Sequence, residues 1–128
     1  MANRCVFCQI VAGTEPATVL ARWVDAVAIA PLSPVVDGHT LIIPTAHVAD
    51  FAEAPEISAA AMRRAGQFVA EAQLGDCNMI TSKGPAATQS VWHLHLHVVP
   101  RAVDDGLALP WYSGRRSRRA ALATQEDR

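Results

Sequence analysis

The 128-residue chain carries 11 Lys and Arg against 12 Asp and Glu, a net charge of −1, with 51% hydrophobic and 18% charged residues. That balance excludes a wholly disordered chain and leaves no global positive field to recruit nucleic acid or an anionic membrane. No apolar run approaches the ~20 residues that span a bilayer, so the sequence reads as one domain around a single core.

The first predicted element is short. Val6 to Val11 is an apolar stretch closed by Gly13, which predicts one or two helical turns with a glycine stop. It lies within MANRCVFCQIVAGTEP, which lacks the apolar run of a secretory signal, so a cytoplasmic address is the default expectation. The three cysteines, an odd number, make no disulfide framework in a reducing compartment. Cys5 and Cys8 have the spacing with which two thiolates hold one zinc ion, although the same pattern serves redox chemistry. Two more ligands are needed, and the five histidines are the natural donors.

Val19 to Trp23 and Val27 to Ala30 predict two strands around a turn near Asp25, followed by a loop marked by Pro31, Pro34, Asp37 and Gly38. His39 to Pro44 is a β-branched strand that stops at its proline. From Pro55 to Leu74 the period changes. Ile57, Ala61, Ala65, Phe68, Val69 and Ala72 form one apolar stripe at spacings of three and four, with Arg63, Arg64, Gln67 and Glu71 opposite and Gly75 as the stop. Cys77 to Thr81 predicts another strand, with Cys77 a strand residue, and Ser82 to Thr88 a loop. The order of strands, helix and strands predicts an α+β domain, an antiparallel sheet with helices packed on one side. Beyond Arg101 the pattern decays, and Arg115, Arg116, Arg118 and Arg119 read as a solvated basic tail, since no aromatic residues interleave to make a nucleic-acid platform.

SVWHLHLHVVP, Ser90 to Pro100, is the most informative segment. As a strand it puts His93, His95 and His97 on one face and Trp92, Leu94, Leu96 and Val98 on the other. Three buried imidazoles would need partners for six nitrogens, which leaves few purely structural reasons for the pattern. Either they ligate a metal, or one is a nucleophile that its neighbours orient; a neutral imidazole attacking phosphorus splits one displacement into two.

These residues resemble a known signature. Gln89 to Arg101, QSVWHLHLHVVPR, resembles the His-x-His-x-His-x-x motif of the histidine triad (HIT) family. CVFCQIVAGTEP is similar to the N-terminal Cys-x-x-Cys block of bacterial, Hint-like members, GHTLIIPTAHV to their Gly-His-Thr-Leu strand, and GLALPW to a segment after the triad. The likeness spans about residues 5 to 111, so a HIT domain is expected over 1–111 and a basic tail over 112–128.

The resemblance implies a five-stranded antiparallel sheet, joined into ten strands in a homodimer. It also implies a hydrolase or transferase acting at the α-phosphate of a nucleoside phosphoramidate or dinucleoside polyphosphate. The partner would be a purine nucleotide such as AMP or an adenosine phosphoramidate, and the chemical step would need no cofactor. By the same likeness His95 is the nucleophile, His97 contacts the phosphate oxygens, Ser90 and Gln89 hydrogen-bond the phosphate or leaving group, and His39 supports the triad. Pro31, Leu32, Ser82 and Thr88 fall at the other nucleotide-binding positions, and Leu109, Pro110 and Trp111 border the pocket. A structural zinc is implied at Cys5, Cys8, His47 and His93, as in the related galactose-1-phosphate uridylyltransferases. The chain departs from the pattern where relatives have an acid or amide for the ribose hydroxyls (Pro31 here), an Asn (Ser82) and a Gly (Thr88). Those departures motivate a second reading, a non-catalytic nucleotide- or partner-binding module. A third, a metal-dependent hydrolase liganded by the triad itself, lacks a nearby carboxylate.

Overall fold

The computed structural model describes residues 4–115. Five strands, β1 (Thr18–Arg22), β2 (Ala26–Ala30), β3 (Thr40–Pro44), β4 (Cys77–Ile80) and β5 (Leu96–Pro100), form one antiparallel sheet in the order β1-β2-β3-β5-β4. The α+β class and the antiparallel sheet expected from the sequence are both observed. Two helices accompany the sheet, α1 (Val6–Ala12) and α2 (Pro55–Glu71). No helix among the described residues is long and apolar enough to cross a membrane.

Strand alternation divides the core in two. Ala26, Ala28, Ile42, Leu96 and Val98 face α2, where Ala61 and Ala65 let the helix approach closely and Phe68 and Val69 fill the margin. Val27, Ile29, Leu41 and Ile43 point the other way and meet Phe7 and Ile10 of α1. The expectation of helices on one side therefore describes α2 alone. The short α1 crosses to the opposite face because its two buried side chains, Phe7 and Ile10, cover the sheet residues that α2 cannot reach.

Two local readings change. The stop of α2 is made by Gln73, which takes a left-handed φ of 52°, and not by Gly75. The strand expected from Ser90 is regular only from Leu96 onward. Upstream of the Ile42–Leu96 pair the chain is held by other bonds: the Leu94 N–H donates to the Val48 carbonyl at 2.7 Å, and a His93 nitrogen lies 2.8 Å from the Pro44 carbonyl. Leu94 is buried, whereas Trp92 is half exposed.

The turn into β3 needs a glycine. Gly38 has φ +86°, and a Cβ there would press on Pro100 Cγ at 3.1 Å. After β5, Arg101 clamps the loop by bonding both Asp105 carboxylate oxygens, Asn78 Oδ1 and the Leu107 carbonyl. The arginine pair with Asp105 holds that carboxyl well below the usual range. Gly114 then packs back onto Gly106, its carbonyl accepting the Gly106 N–H at 3.1 Å. Arg115 is exposed; Arg116, Arg118 and Arg119 lie outside the described residues.

Candidate active site and metal centre

The first triad histidine belongs to a four-residue cluster. His93 Nδ1 lies 3.4 Å from Cys5 Sγ, 3.4 Å from Cys8 Sγ and 3.1 Å from His47 Nδ1, and Cys8 Sγ lies 3.2 Å from His47 Nδ1. All four ligand atoms fall within 4.8 Å of one another. A zinc tetrahedron with bonds of ~2.0 Å to nitrogen and ~2.3 Å to sulfur has edges of roughly 3.3–3.8 Å, close to this spacing. The donor chemistry fits as well. The Nε2–H of His93 donates to the Pro44 carbonyl, so its Nδ1 carries a lone pair aimed at two sulfurs and a second imidazole nitrogen. Burial, then the neighbouring Cys5, pushes the Cys8 thiol up, so a cation is what would hold Cys8 as a thiolate. Cys5 also serves the helix, because its sulfur caps α1 by accepting the Cys8 N–H at 3.4 Å.

His95 and His97 extend the same wall. Their rings are 5.1 Å apart at 62°, and Phe7 packs edge-on against His95 at 5.0 Å and against His93 at 6.0 Å. His95 Nδ1–H donates to the His93 carbonyl at 2.8 Å, which leaves its Nε2 as a lone pair. His97 Nδ1 lies 2.9 Å from His39 Nε2. Neither His95 nor His97 Nε2 has a protein partner among the described residues. No side-chain nitrogen is both buried and unpartnered there, so both atoms open to solvent. Burial lowers the His95 pKa, and burial followed by the nearby His95 and His39 lowers His97 to about 4. Both rings are therefore neutral at pH 7.

Gln89 is buried and fully committed. Its amide donates to the Ala49 and Val91 carbonyls at 2.7 and 3.0 Å, and its oxygen accepts the Gly84 N–H at 2.9 Å. It ties the Gly84–Thr88 loop to the turn that carries His47. The other expected site residues lie around this frame. Ser90 and Thr88 are exposed and Ser82 half-buried, and among the described residues none hydrogen-bonds an imidazole. Thr88 takes φ 70°, a left-handed conformation that a β-branched residue adopts under strain. Pro31 is half-buried and offers no side-chain donor or acceptor, and Leu32 stands fully exposed. Leu109 and Tyr112 form an isolated bridge, with Trp111 exposed at its tip.

Three participants do not show in the residue pattern. Phe7 lies inside the Cys-x-x-Cys, and that position is the available signal: a pair of sulfurs pinned beside His93 carries the intervening side chain to the triad. The Val35 N–H, which donates to His39 Nδ1 at 3.1 Å, and the Pro44 carbonyl act through the backbone, which residue type does not reveal.

A triad of imidazoles on one face of a five-stranded antiparallel sheet, with a Cys2His2 cluster at its upstream end, defines the class, and the comparisons agree. The HIT domain model matches residues 12–104, and the chain belongs to the HIT family. A HIT-like protein of Mycobacterium tuberculosis is 38% identical over 110 residues, 82% of this chain and 76% of the relative. An adenosine 5′-monophosphoramidase of Schizosaccharomyces pombe is 33% identical over 112 residues, 85% of this chain and 84% of the relative. Among solved structures, a Zn-bound histidine triad family protein from Mycobacterium smegmatis is 36% identical, with 99% of each chain covered and a TM-score of 0.72.

Proposed function

We propose that this chain is a nucleotide hydrolase or transferase acting at the α-phosphate of a nucleoside phosphoramidate or dinucleoside polyphosphate, through a nucleotidyl-histidine on His95. The observation that carries the reading is the fixed ring of His95: its Nδ1–H is held by the His93 carbonyl, and its Nε2 lone pair faces solvent beside His97. Similarity to a phosphoramidase supports the substrate class.

In the first step Nε2 of His95 bonds to phosphorus as the bond to the leaving group breaks. The ring gains positive charge, which the His93 carbonyl at 2.8 Å stabilises through Nδ1–H. The leaving group departs on the far side of phosphorus and takes a proton from solvent by way of the exposed Ser90 hydroxyl. Water then attacks phosphorus and gives up a proton to solvent, the bond to His95 breaks with its electron pair returning to Nε2, and the nucleotide leaves with the ring neutral again. His97 holds a phosphoryl oxygen, and Gln89 keeps the Gly84–Thr88 loop in place while its own amide is occupied. Cys5, Cys8, His47 and His93 would hold a zinc ion, whose contribution is to lock α1 and Phe7 against the triad.

His95→Ala should lower turnover of an adenosine phosphoramidate by at least about a thousandfold while leaving the unfolding midpoint nearly unchanged. Equal turnover before and after substitution removes the nucleophile. Absence of turnover in both proteins, with AMP still bound, would favour the non-catalytic binding module, for which Pro31 is the structural motive. We further read the free edge of β4, with exposed Ile80 and Met62 nearby on the α2 side, as the surface that pairs with a second copy of the chain. A monomer in sedimentation at micromolar concentration removes that part of the reading.

A further inference from the structure

The positive charges among the described residues are unevenly spent. Arg63 and Arg64 pair with Asp25, and Arg101 pairs with Asp105. Lys83, the only lysine of the chain, is exposed and makes no hydrogen bond, ion pair or ring contact among the described residues. Its place in the fold is nonetheless fixed from both sides. Just before it, β4 ends with Ile80 paired to His97, and the Thr81 hydroxyl donates to the His95 carbonyl at 2.8 Å. Just after it, the Gly84 N–H donates to Gln89 Oε1 at 2.9 Å, and the Gly84 carbonyl accepts the Gln89 N–H at 3.1 Å. Lys83 and Ser90 are therefore the outer neighbours of a doubly bonded pair, at the mouth of the loop that leads into the triad.

We propose that Lys83 is a specificity-determining residue that binds a negatively charged leaving group, so that the site favours phosphoric anhydrides over phosphoramidates. The inference rests on the reading of the imidazole wall as an α-phosphate site, and it chooses between the two substrate classes which that reading admits. A simple phosphoramidate releases a neutral amine, which gives an ammonium no anion to hold. An anhydride releases a phosphate. As His95 Nε2 bonds to phosphorus, the bridging oxygen keeps the electron pair of the breaking P–O bond, and negative charge gathers on the departing group. The Lys83 ammonium, a compact point charge on a four-carbon stem, meets that charge.

The surroundings favour that role. Two residues of extended chain put the Lys83 Cα at most roughly 7 Å from that of Thr81, so the stem starts close to the His95 backbone. Pro31, Leu32 and Thr88 carry no charge, and Ser82 and Ser90 bring only hydroxyls. His97 is uncharged at pH 7, because burial and then the nearby His95 and His39 hold it at about 4. Gln89 cannot take the departing phosphate, since its amide is spent on the Ala49 and Val91 carbonyls. The Ser82–Thr88 loop supplies one cation to this uncharged set, and Lys83 is it. No ion pair has to break when an anion arrives.

A single lysine permits a direct test. Reductive methylation of the full chain with ¹³C-formaldehyde keeps the charge and labels Lys83, whose methyl resonance is the one lost in Lys83→Gln. At pH 7 that resonance should move with α,β-methylene-ADP, whose second phosphate stands at the leaving-group position and cannot be released, and move less with AMP. Lys83→Gln should lower the affinity ratio of α,β-methylene-ADP to AMP about tenfold, the scale of one lost hydrogen bond to a charged group, and Lys83→Arg should keep it. The ratio of kcat/KM on diadenosine tetraphosphate to that on an adenosine phosphoramidate should fall by a similar factor in Lys83→Gln. A Lys83 resonance that ignores α,β-methylene-ADP, or that moves equally with AMP, overturns the proposal. So does a folded Lys83→Gln protein with both ratios unchanged. A shifted affinity ratio with no turnover would keep the lysine site and lose the catalytic reading; turnover abolished by His95→Ala, with ratios indifferent to Lys83→Gln, would do the reverse.

Discussion

The two faces of one sheet are made by alternate residues of the same strands, yet they share almost no chemistry. On β3 and β5 the side chains of Ile42, Leu96 and Val98 turn toward α2 and meet only carbon from Ala61, Ala65 and their neighbours. Leu41 and His97, paired across the same two strands, turn the other way, where the covering helix brings sulfur and an aromatic edge. A dry face can be packed by size alone, whereas the opposite face must satisfy every ring nitrogen and leave two accessible. Both faces carry a buried apolar cluster, but the imidazoles lie on the α1 side alone, and a one-residue slip of β5 would turn them toward α2.

The largest effect should come from the dry face. Ile42→Ala removes a fully buried side chain and should cost about 2–5 kcal/mol in urea unfolding, while AMP affinity of the folded protein stays the same. A cost below about 1 kcal/mol would break the division of roles. Next comes the metal cluster. Cys8→Ser should remove stoichiometric zinc from the purified protein by elemental analysis and lower the unfolding midpoint by about 5–10 °C, roughly 1–2 kcal/mol for a domain of this size. An unchanged midpoint with zinc gone would place α1 outside the stabilising framework.

A third effect depends on pH. His97 titrates at about 4 in the fold against an ordinary 6.5. Between those values the unfolded chain binds a proton that the folded chain refuses. The stabilising contribution is therefore complete above 6.5 and declines as pH falls toward 4. Urea melts at pH 7 and pH 5 should show the wild type losing more stability than His97→Gln over that interval; parallel losses would contradict a buried neutral ring. The smallest effect concerns the strained loop. Thr88→Gly relieves a left-handed β-branched residue and should stabilise by about 0.5–1 kcal/mol, after the added freedom of glycine in the unfolded chain is counted. Urea unfolding of the two proteins side by side measures it, and a loss of stability would remove the strain at Thr88.

How far these features can be read from sequence follows from how local their causes are. The stripe from Ala61 to Val69 and the strand of residues 40–44 are legible because period and β-branching act within the element itself. The ligand set at positions 5, 8, 47 and 93 is legible only through resemblance, since nothing in the spacing selects His47 over His39. The start of the histidine strand escapes the pattern because alternation of residue types continues back through Trp92, whereas pairing to β3 begins only at the Ile42–Leu96 pair. Least legible is the proton order among the imidazoles, which depends on one peptide N–H and two carbonyls that are the same whatever the side chain. Gln89 belongs between these cases: its identity draws attention, but its three backbone partners lie in segments that only folding brings together.

Helix α1 has seven residues, too few to persist in water without anchoring, and contributes far less helical signal than the seventeen of α2. Detachment of α1 alone would therefore change the far-UV circular dichroism little. A titration of the Cys5 and Cys8 thiols reports on that segment better than an ellipticity reading does.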